Sequence, residues 1–189
     1  MKGGFLCGIL LLCSPFPAKG ESLDRELYDT IHNDWKSPFL DETMPRVTLL
    51  GDDVTGIVFT TSLIVFGDEK GKESGILTGV ALAGSGLITL GMKTVINRKR
   101  PEDPEGLTRR SNSSFPSGHA SGAFSAATVI GSRYPKARIP VYTLASLVGF
   151  SRIYLGKHYP SDVLGGAVVG IASGLVVLHC DEKILNLFE

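Results

Sequence analysis

The sequence predicts an all-α bundle of about five to six helices, embedded in a membrane, with a short amphipathic helix at its N-terminal end. Apolar residues gather in blocks of helical length, and short polar segments separate these blocks. Small residues recur within them, and Gly166, Gly170 and Gly174 follow one another at four-residue spacing. This spacing lets helix backbones approach closely, as in membrane bundles. A tightly packed soluble bundle is the alternative, because the helices are short and only modestly apolar.

Residues 1–20 have the features of a secretory signal peptide. Lys2 supplies the positive charge, residues 5–13 form a short apolar run, and small residues precede Glu21 at a plausible cleavage site. The apolar run is shorter than the ~20 residues that a spanning helix needs, which favours a signal peptide over an uncleaved anchor. We therefore expect a single mature domain, residues 21–189, that is exported or inserted.

Leu23, Leu27, Ile31 and Trp35 recur every four residues and predict the amphipathic helix between residues 21 and 35. Five apolar helices are predicted after it, at residues 47–66, 75–92, 119–132, 139–150 and 163–179. Residues 67–74 and 133–138 are predicted to be polar turns at one end of the bundle. The loops 94–118 and 152–162 then lie together at the other end.

Charge and cysteine content exclude several classes of protein. The 19 basic residues balance the 19 acidic ones, so no nucleic-acid partner is expected. Cys180 would be the only cysteine left after cleavage, and the fold therefore does not depend on an internal disulfide. The sequence has no cysteine cluster for zinc and no acidic cluster suited to magnesium, so no metal or other cofactor is expected. The oligomeric state is left open.

Residues 151–162 place an arginine, a histidine and an aspartate between two apolar segments. Charged groups in such a place need partners or a charged ligand. Asp162 follows His158 by four residues, which suits a hydrogen bond that fixes the imidazole if a helical turn begins here. Arg152 offers a planar fork suited to phosphate oxygens. On its own this stretch would equally fit a loop with an ordinary salt bridge.

Two further segments bring polar groups to the same predicted end. Lys93 ends an uncharged helix, and Arg100 follows seven residues later. Ser117 and Gly118 open the next helix, whose unpaired amides form a ready anion site, and His119 stands in its first turn. These groups could neutralise a phosphate and stabilise its five-coordinate transition state better than its ground state.

Two histidines can divide the chemistry of phosphoryl transfer. One attacks phosphorus and becomes a phosphohistidine, and the other protonates the leaving oxygen and later activates water. His158 has the carboxylate of Asp162 as a neighbour, so we assign it as the nucleophile. His119 is then the general acid.

The three motifs together resemble the type 2 phosphatidic acid phosphatase superfamily. They are Lys-x6-Arg-Pro at 93–101, Pro-Ser-Gly-His at 116–119 and Ser-Arg-x5-His-x3-Asp at 151–162, in order and with unbroken spacing. Segments 36–41 and 49–52 also look like the N-terminal part of its bacterial membrane members. The resemblance implies an all-helical fold, no metal requirement and, in many members, lipid phosphate or diphosphate substrates.

The resemblance also implies roles for individual residues, and these agree with the chemical interpretation. The residues implied to bind phosphate are Lys93, Arg100, Ser117, Gly118 and Arg152. His119 is the implied acid, His158 the nucleophile, and Asp162 the group that orients it.

We therefore expect a metal-independent phosphatase in the bacterial inner membrane, with its active site facing the periplasm. Its expected substrate is a phosphorylated lipid such as phosphatidic acid, phosphatidylglycerol phosphate, a polyprenyl diphosphate or lipid A. One alternative is a soluble periplasmic acid phosphatase acting on small phosphomonoesters. Another is a non-catalytic protein that binds phosphate or a lipid headgroup.

Several charged residues outside these assignments have two interpretations each. Basic residues near the first motif either attract an anionic substrate or form a solvated loop: Arg98, Lys99, Arg109 and Arg110. Asp52 and Asp53 are either functional polar groups in a membrane segment or the start of a helix near the interface. His32 is expected on the surface.

Overall fold

The computed structural model describes residues 18–102 and 113–188, and within them the chain forms α-helices and no strand. The helices are α1 (Ala18–Asp29), α2 (Pro38–Thr48), α3 (Asp53–Phe66), α4 (Glu69–Ile96), α5 (Gly118–Arg133), α6 (Arg138–Tyr154), α7 (Pro160–His179) and α8 (Asp181–Leu185). Short helical turns connect some of them, namely a π-helix at Thr30–Asp34 and 3-10 turns at Leu49–Gly51 and Pro135–Ala137. The all-α prediction is confirmed. The predicted signal peptide, residues 1–20, lies outside the described residues except for its last three, which begin α1.

Two of the predicted helix boundaries differ from those in the structure. The helix predicted at residues 47–66 is broken at Asp52, where the chain bends by 56° between α2 with its 3-10 turn and α3. The turn predicted at 67–74 is wrong beyond its first two residues. Asp68 accepts a hydrogen bond from the Gly71 amide at 2.8 Å and so caps α4. The charged residues that follow Asp68 therefore form the first turns of a 28-residue helix.

Helices α5 and α7 pack closely through the small residues of α7. A Cβ at Gly166 would lie 2.4 Å from the carbonyl oxygen of Ser117, and one at Gly170 would lie 2.2 Å from that of Ser121. No side chain larger than hydrogen fits at either place without moving the backbone of α5. The glycine spacing seen in the sequence therefore marks the interface between α5 and α7.

The outer surface of the bundle is apolar, whereas its interior holds small polar side chains. Buried hydroxyl groups include those of Ser74, Thr78, Ser85, Ser121 and Ser125. Large apolar side chains on α4 and α7 are exposed, among them Leu87, Ile88, Leu90, Leu164, Val168 and Leu175. A soluble protein would bury many of these apolar groups, so this arrangement favours the membrane-embedded bundle over the soluble alternative.

Among the described residues, two helices are long and apolar enough to cross a membrane. They are α4 and α7, with mean hydropathy 1.6 and 1.9, and the bent pair of α2 and α3 makes a third span if it is counted as one. The predicted membrane bundle is thus consistent with the length and composition of these helices.

The amphipathic helix predicted near the N-terminus is present as α1 and its π-helical extension. It packs by Tyr28, which is buried against Ile153 and lies 5.1 Å from the ring of His32, centroid to centroid. His32 Nδ1 lies 2.8 Å from the carbonyl oxygen of Tyr154, so the expectation of a surface histidine was wrong. Leu23 and Leu27 instead face outward, where a membrane interface would cover them.

Candidate active site

The three motif segments contact one another at one end of the bundle. The Ser117 amide donates to the carbonyl oxygen of Asp162 at 2.9 Å, and the Ser114 hydroxyl donates to the carboxylate of the same residue. Arg100 Nη1 donates to the carbonyl oxygen of Lys157 at 3.2 Å. The loop between α4 and α5 therefore lies against the loop between α6 and α7, as the sequence predicted.

Lys93 brings a positive charge into the interior at the end of α4. Asn97 ends this helix in the left-handed conformation, with φ of 45°, and its amide bonds to the Lys93 carbonyl oxygen. The Lys93 side chain is buried, and its ammonium donates to the carbonyl oxygen of Ser113. Arg100 and Arg152 lie within electrostatic reach of it. Three cations held this close favour the binding of an anion between them.

Arg152 lies in the last turn of α6, and its donor groups differ in their contacts. Its Nη1 donates to the hydroxyl of Thr48 at 2.8 Å. Its Nε is buried and has no hydrogen-bond partner among the described residues. A buried donor without an acceptor is costly, so this position suits an oxygen atom of a bound anion.

The start of α5 has the geometry of an anion site. Ser117 is the N-cap residue, fully buried, and its hydroxyl accepts from the Ala120 amide at 3.5 Å. Gly118 and His119 occupy the first turn, where amide groups and the helix dipole favour negative charge.

His158 is buried beside Asp162 in the loop that precedes α7. Its Nδ1 lies 3.6 Å from Oδ2 of Asp162, which is longer than a hydrogen bond, and α7 begins only at Pro160. The predicted helical turn therefore does not include His158. Burial lowers the pKa of His158 to about 4, with Asp162 opposing this shift and Arg100 and Lys93 adding to it. The imidazole is consequently neutral at physiological pH, the form that can act as a nucleophile.

Asp162 is fully buried and its oxygen atoms are occupied by other partners. Oδ1 accepts from Arg98 Nη1 at 2.7 Å, and Oδ2 accepts from the Tyr159 amide at 2.8 Å and from Ser114. Arg98 also donates to Asp24 of α1 at 2.6 Å. Arg98 is thus the counter-charge of Asp162, and the interpretation of this residue as part of a solvated loop was wrong.

His119 faces the break between α2 and α3. Its Nε2 lies 2.8 Å from Oδ1 of Asp52, and both side chains are partly exposed. Asp52 is the N-cap residue of α3, but its side chain makes no capping hydrogen bond. Asp52 does precede a helix, as one interpretation of the sequence held. Its carboxylate contacts His119 instead of capping that helix.

A cavity of about 780 Å³ opens beside these groups, between α3, α4, α5 and α6. Lys93, Gly118 and Asp52 line it at the end where the motifs meet. Most of its remaining wall comes from apolar or small side chains, for example Phe59, Leu82, Ala126, Ile130 and Leu144. The cavity therefore joins a charged end to a long apolar chamber.

All eight residues proposed from the sequence lie at this end of the bundle. Their polar supports were not predicted, and these come from outside the motifs or between their fixed positions: Asp24, Thr48, Asp52, Arg98 and Ser114. Arg98 was visible as a basic residue within the first motif, but spacing alone did not distinguish it from Lys99. Asp52 was considered as a functional polar group but was not connected with His119, and the remaining three gave no signal that would connect them with the site.

The chain is similar in sequence to known proteins. The PAP2 superfamily matches residues 74–185 of this chain. Phosphatidylglycerophosphatase B from Bacillus subtilis (strain 168) is 33% identical over 162 residues, which are 79% of each chain. Lipid A 1-phosphatase from Porphyromonas gingivalis is 42% identical over 100 residues, which are 51% of this chain but only 21% of that protein.

A solved structure extends the similarity to almost the whole fold. The crystal structure of a transmembrane PAP2 type phosphatidylglycerolphosphate phosphatase from Bacillus subtilis superposes with a TM-score of 0.75 at 30% sequence identity. The match covers 95% of this chain and 94% of that one.

Proposed function

Because this chain belongs to the PAP2 superfamily and is a membrane protein, we propose that it is a metal-independent phosphatase of a phosphorylated membrane lipid. The observation that carries the proposal is the cavity that joins Lys93 and Gly118 to an apolar chamber of about 780 Å³. A lipid phosphate needs both parts, since its headgroup is anionic and its chains are apolar. A small soluble phosphomonoester would leave the chamber empty.

The phosphate would bind among Lys93, Arg100 and Arg152, at the start of α5. The buried Nε of Arg152 would donate to one of its oxygens, and the amides near Gly118 to another. These donors are fixed before substrate arrives, so they cost no reorganisation when charge builds up on the equatorial oxygens. Positive charge supplied by the protein takes the place of a metal ion here.

The reaction follows in two displacements. Neutral His158 attacks phosphorus, the bond from phosphorus to the leaving oxygen breaks, and His119 gives that oxygen a proton. A water molecule then attacks the phosphohistidine and passes its proton to His119. The bond between phosphorus and nitrogen breaks, and inorganic phosphate leaves. Asp162 stays ionised and stabilises the positive charge that develops on His158.

The candidate substrates are phosphatidic acid, phosphatidylglycerol phosphate, a polyprenyl diphosphate and lipid A. Purified protein in detergent, with EDTA present, should release inorganic phosphate from at least one of these lipids. His158→Ala should abolish this release. If none of the four lipids is hydrolysed, or if EDTA abolishes the activity, the proposed function is wrong.

The covalent intermediate has its own test. Acid-labile, base-stable label should accumulate on the wild-type protein when a substrate with radioactive phosphorus is quenched within one turnover. His158→Ala should carry none, whereas His119→Ala should retain label from 4-nitrophenyl phosphate, because this leaving group needs no proton and attack by water is then slow. Label on a residue other than His158 would mean that this other residue is the nucleophile.

We place the active-site end on the periplasmic side of the inner membrane. The opposite end carries Arg133, Lys136 and Arg138, which fits the excess of positive charge in cytoplasmic loops. In a background without native cysteines, Lys99→Cys should react with a membrane-impermeant maleimide in spheroplasts, and Lys136→Cys should not. The reverse labelling pattern would invert this orientation.

A further inference from the structure

The carboxylate of Asp52 does not cap the helix that begins after it. An aspartate at a helix N-cap ordinarily accepts a hydrogen bond from an amide in the first turn. Asp52 makes no such bond, and its Oδ1 instead lies 2.8 Å from Nε2 of His119. The carboxylate is therefore directed away from its own helix and toward the imidazole.

The break between α2 and α3 is built to allow this contact. A Cβ at Gly51 would lie 2.5 Å from Cγ1 of Val148 and 3.1 Å from Cβ of His119, so the backbone at residue 51 touches both α5 and α6. The chain then bends by 56° into α3. Close approach and bend together bring the next residue, Asp52, onto the ring of His119.

Within the part of the chain that the structure describes, three charged groups act electrostatically on His119 from the elements packed around it. Asp52 and Asp53 are at the start of α3, and Arg152 is on α6. Only Asp52 makes a hydrogen-bonded ion pair with the ring. A carboxylate on one ring nitrogen fixes the tautomer and stabilises the imidazolium, while it leaves the other nitrogen available to a substrate.

We propose that Asp52 is a positioning residue that orients His119 and favours its imidazolium form, which protonates the leaving group. His119 gives the proton on its other nitrogen to the oxygen that departs from phosphorus, and it becomes neutral. In the second displacement it takes a proton from the attacking water, and the ion pair with Asp52 re-forms. Asp52 itself neither gains nor loses a proton. This inference rests on the proposed function and names the residue that orients its general acid.

Substrates with different leaving groups distinguish this role in proton transfer from a purely structural role of Asp52. A lipid alkoxide needs a proton as it departs, whereas 4-nitrophenolate leaves as a stable anion. Asp52→Asn should therefore lower kcat/KM, which reports the first displacement, by at least tenfold on short-chain phosphatidic acid and much less on 4-nitrophenyl phosphate. The expected loss is part of the roughly hundredfold or more that a general acid contributes. Asparagine caps helices as well as aspartate does, so α3 should keep its start.

A double-mutant cycle with phosphatidic acid decides the question even if the aryl ester is a poor substrate. His119→Ala should abolish most of the turnover, and Asp52→Asn combined with His119→Ala should be no slower than His119→Ala alone. Asp52→Glu should restore part of the activity that Asp52→Asn loses. Asp53→Asn is the matched control, since it removes a carboxylate from the same helix end, and it should lose far less.

The outcomes distinguish the inference from the function on which it rests. Additive losses in the cycle, or equal losses on the two leaving groups, would overturn the role of Asp52 while phosphatase activity stands. A lower midpoint of thermal unfolding for Asp52→Asn, with lipid turnover per folded molecule unchanged, would do the same. A wild-type protein that hydrolyses none of the four candidate lipids would overturn the proposed function, and this inference with it.

Discussion

Arg98 Nη1 lies 2.7 Å from Oδ1 of Asp162, and this contact is closer than the 3.6 Å between the same carboxylate and His158. Asp162 is fully buried, so its charge needs a counter-charge inside the protein. Arg98 supplies it, and the Tyr159 amide and Ser114 occupy the other carboxylate oxygen. Asp162 is thereby fixed as an anion beside the ring of His158.

The first prediction follows from this ion pair. Arg98→Ala leaves the carboxylate of Asp162 buried without its counter-charge, so the variant should lose about 3 kcal/mol or more of stability and most of its activity. Arg98→Lys should be intermediate, because an ammonium cannot reproduce the fork that reaches Asp162, Ser161 and Asp24. Thermal unfolding in detergent and phosphate release measure the two effects. Lys99→Ala is the matched control, and a loss equal to that of Arg98→Ala would contradict the assignment.

The second prediction concerns the link between α1 and the site. Asp24 accepts from Arg98 at 2.6 Å and from the amide of Ser161 at 2.8 Å, so the N-terminal helix holds the segment after α4 against the start of α7. Asp24→Ala should lower the midpoint of thermal unfolding, and combining it with Arg98→Ala should cost less than the sum of the two. Glu26→Ala, an exposed carboxylate of the same helix, serves as control. Additive losses would mean that Asp24 acts independently of Arg98.

The candidate site residues that the structure brings together could be named from the sequence because the spacing within each motif is local. Ser117, Gly118 and His119 are consecutive, and a glycine after a serine at a helix start already indicates an anion site. Their partners could not be predicted, because they depend on contacts between distant segments. Asp24 and Arg98 are 74 residues apart, and nothing in either neighbourhood indicates the other.

The helix bundle was predictable from apolar blocks, but its breaks were not. Residues 47–66 contain no proline, and the local signal of a helix start at Asp52 and Asp53 did not indicate a bend. The bend follows from packing, since Gly51 must lie against Val148 and His119. The charged residues after Asp68 were expected in a turn because charge is frequent in loops, whereas here the charges lie on exposed turns of α4.

The third prediction tests the close packing of α5 on α7. A Cβ at Gly170 would lie 2.2 Å from the carbonyl oxygen of Ser121, a backbone atom that can move only with its helix. Gly170→Ala should therefore destabilise the protein by about 1–3 kcal/mol, as overpacking does. Gly91→Ala is the control, because nothing lies within 4 Å of its added Cβ, and it should be neutral or slightly stabilising. Equal midpoints of thermal unfolding for the two variants would contradict this packing.

The fourth prediction concerns pH. Burial lowers the pKa of His158 from 6.5 to about 4, so between these values the unfolded chain binds more protons than the folded one. Stability should then fall as pH decreases from about 6.5 to about 4, with this residue contributing up to about 3 kcal/mol of the loss. His158→Gln removes the contribution and leaves other titrating groups in place. Thermal unfolding of both proteins across this range should show the wild type losing more stability, and parallel curves would refute the shift.

The fifth prediction assigns the open donor of Arg152 to the phosphate. Its buried Nε has no partner among the described residues, while its Nη1 is held by Thr48 at 2.8 Å. Arg152→Lys removes the planar donor group and should lower kcat/KM on a lipid phosphate about a hundredfold. Thr48→Val removes only the hydroxyl that holds the guanidinium in place, so it should lower kcat/KM by about tenfold or less. Arg46→Lys, an exposed arginine paired with Glu42, is the control for the substitution itself. Inhibition by inorganic phosphate reports the site directly. It should weaken in Arg152→Lys in parallel with kcat/KM, because both depend on the same donor, and unchanged inhibition would place the anion elsewhere.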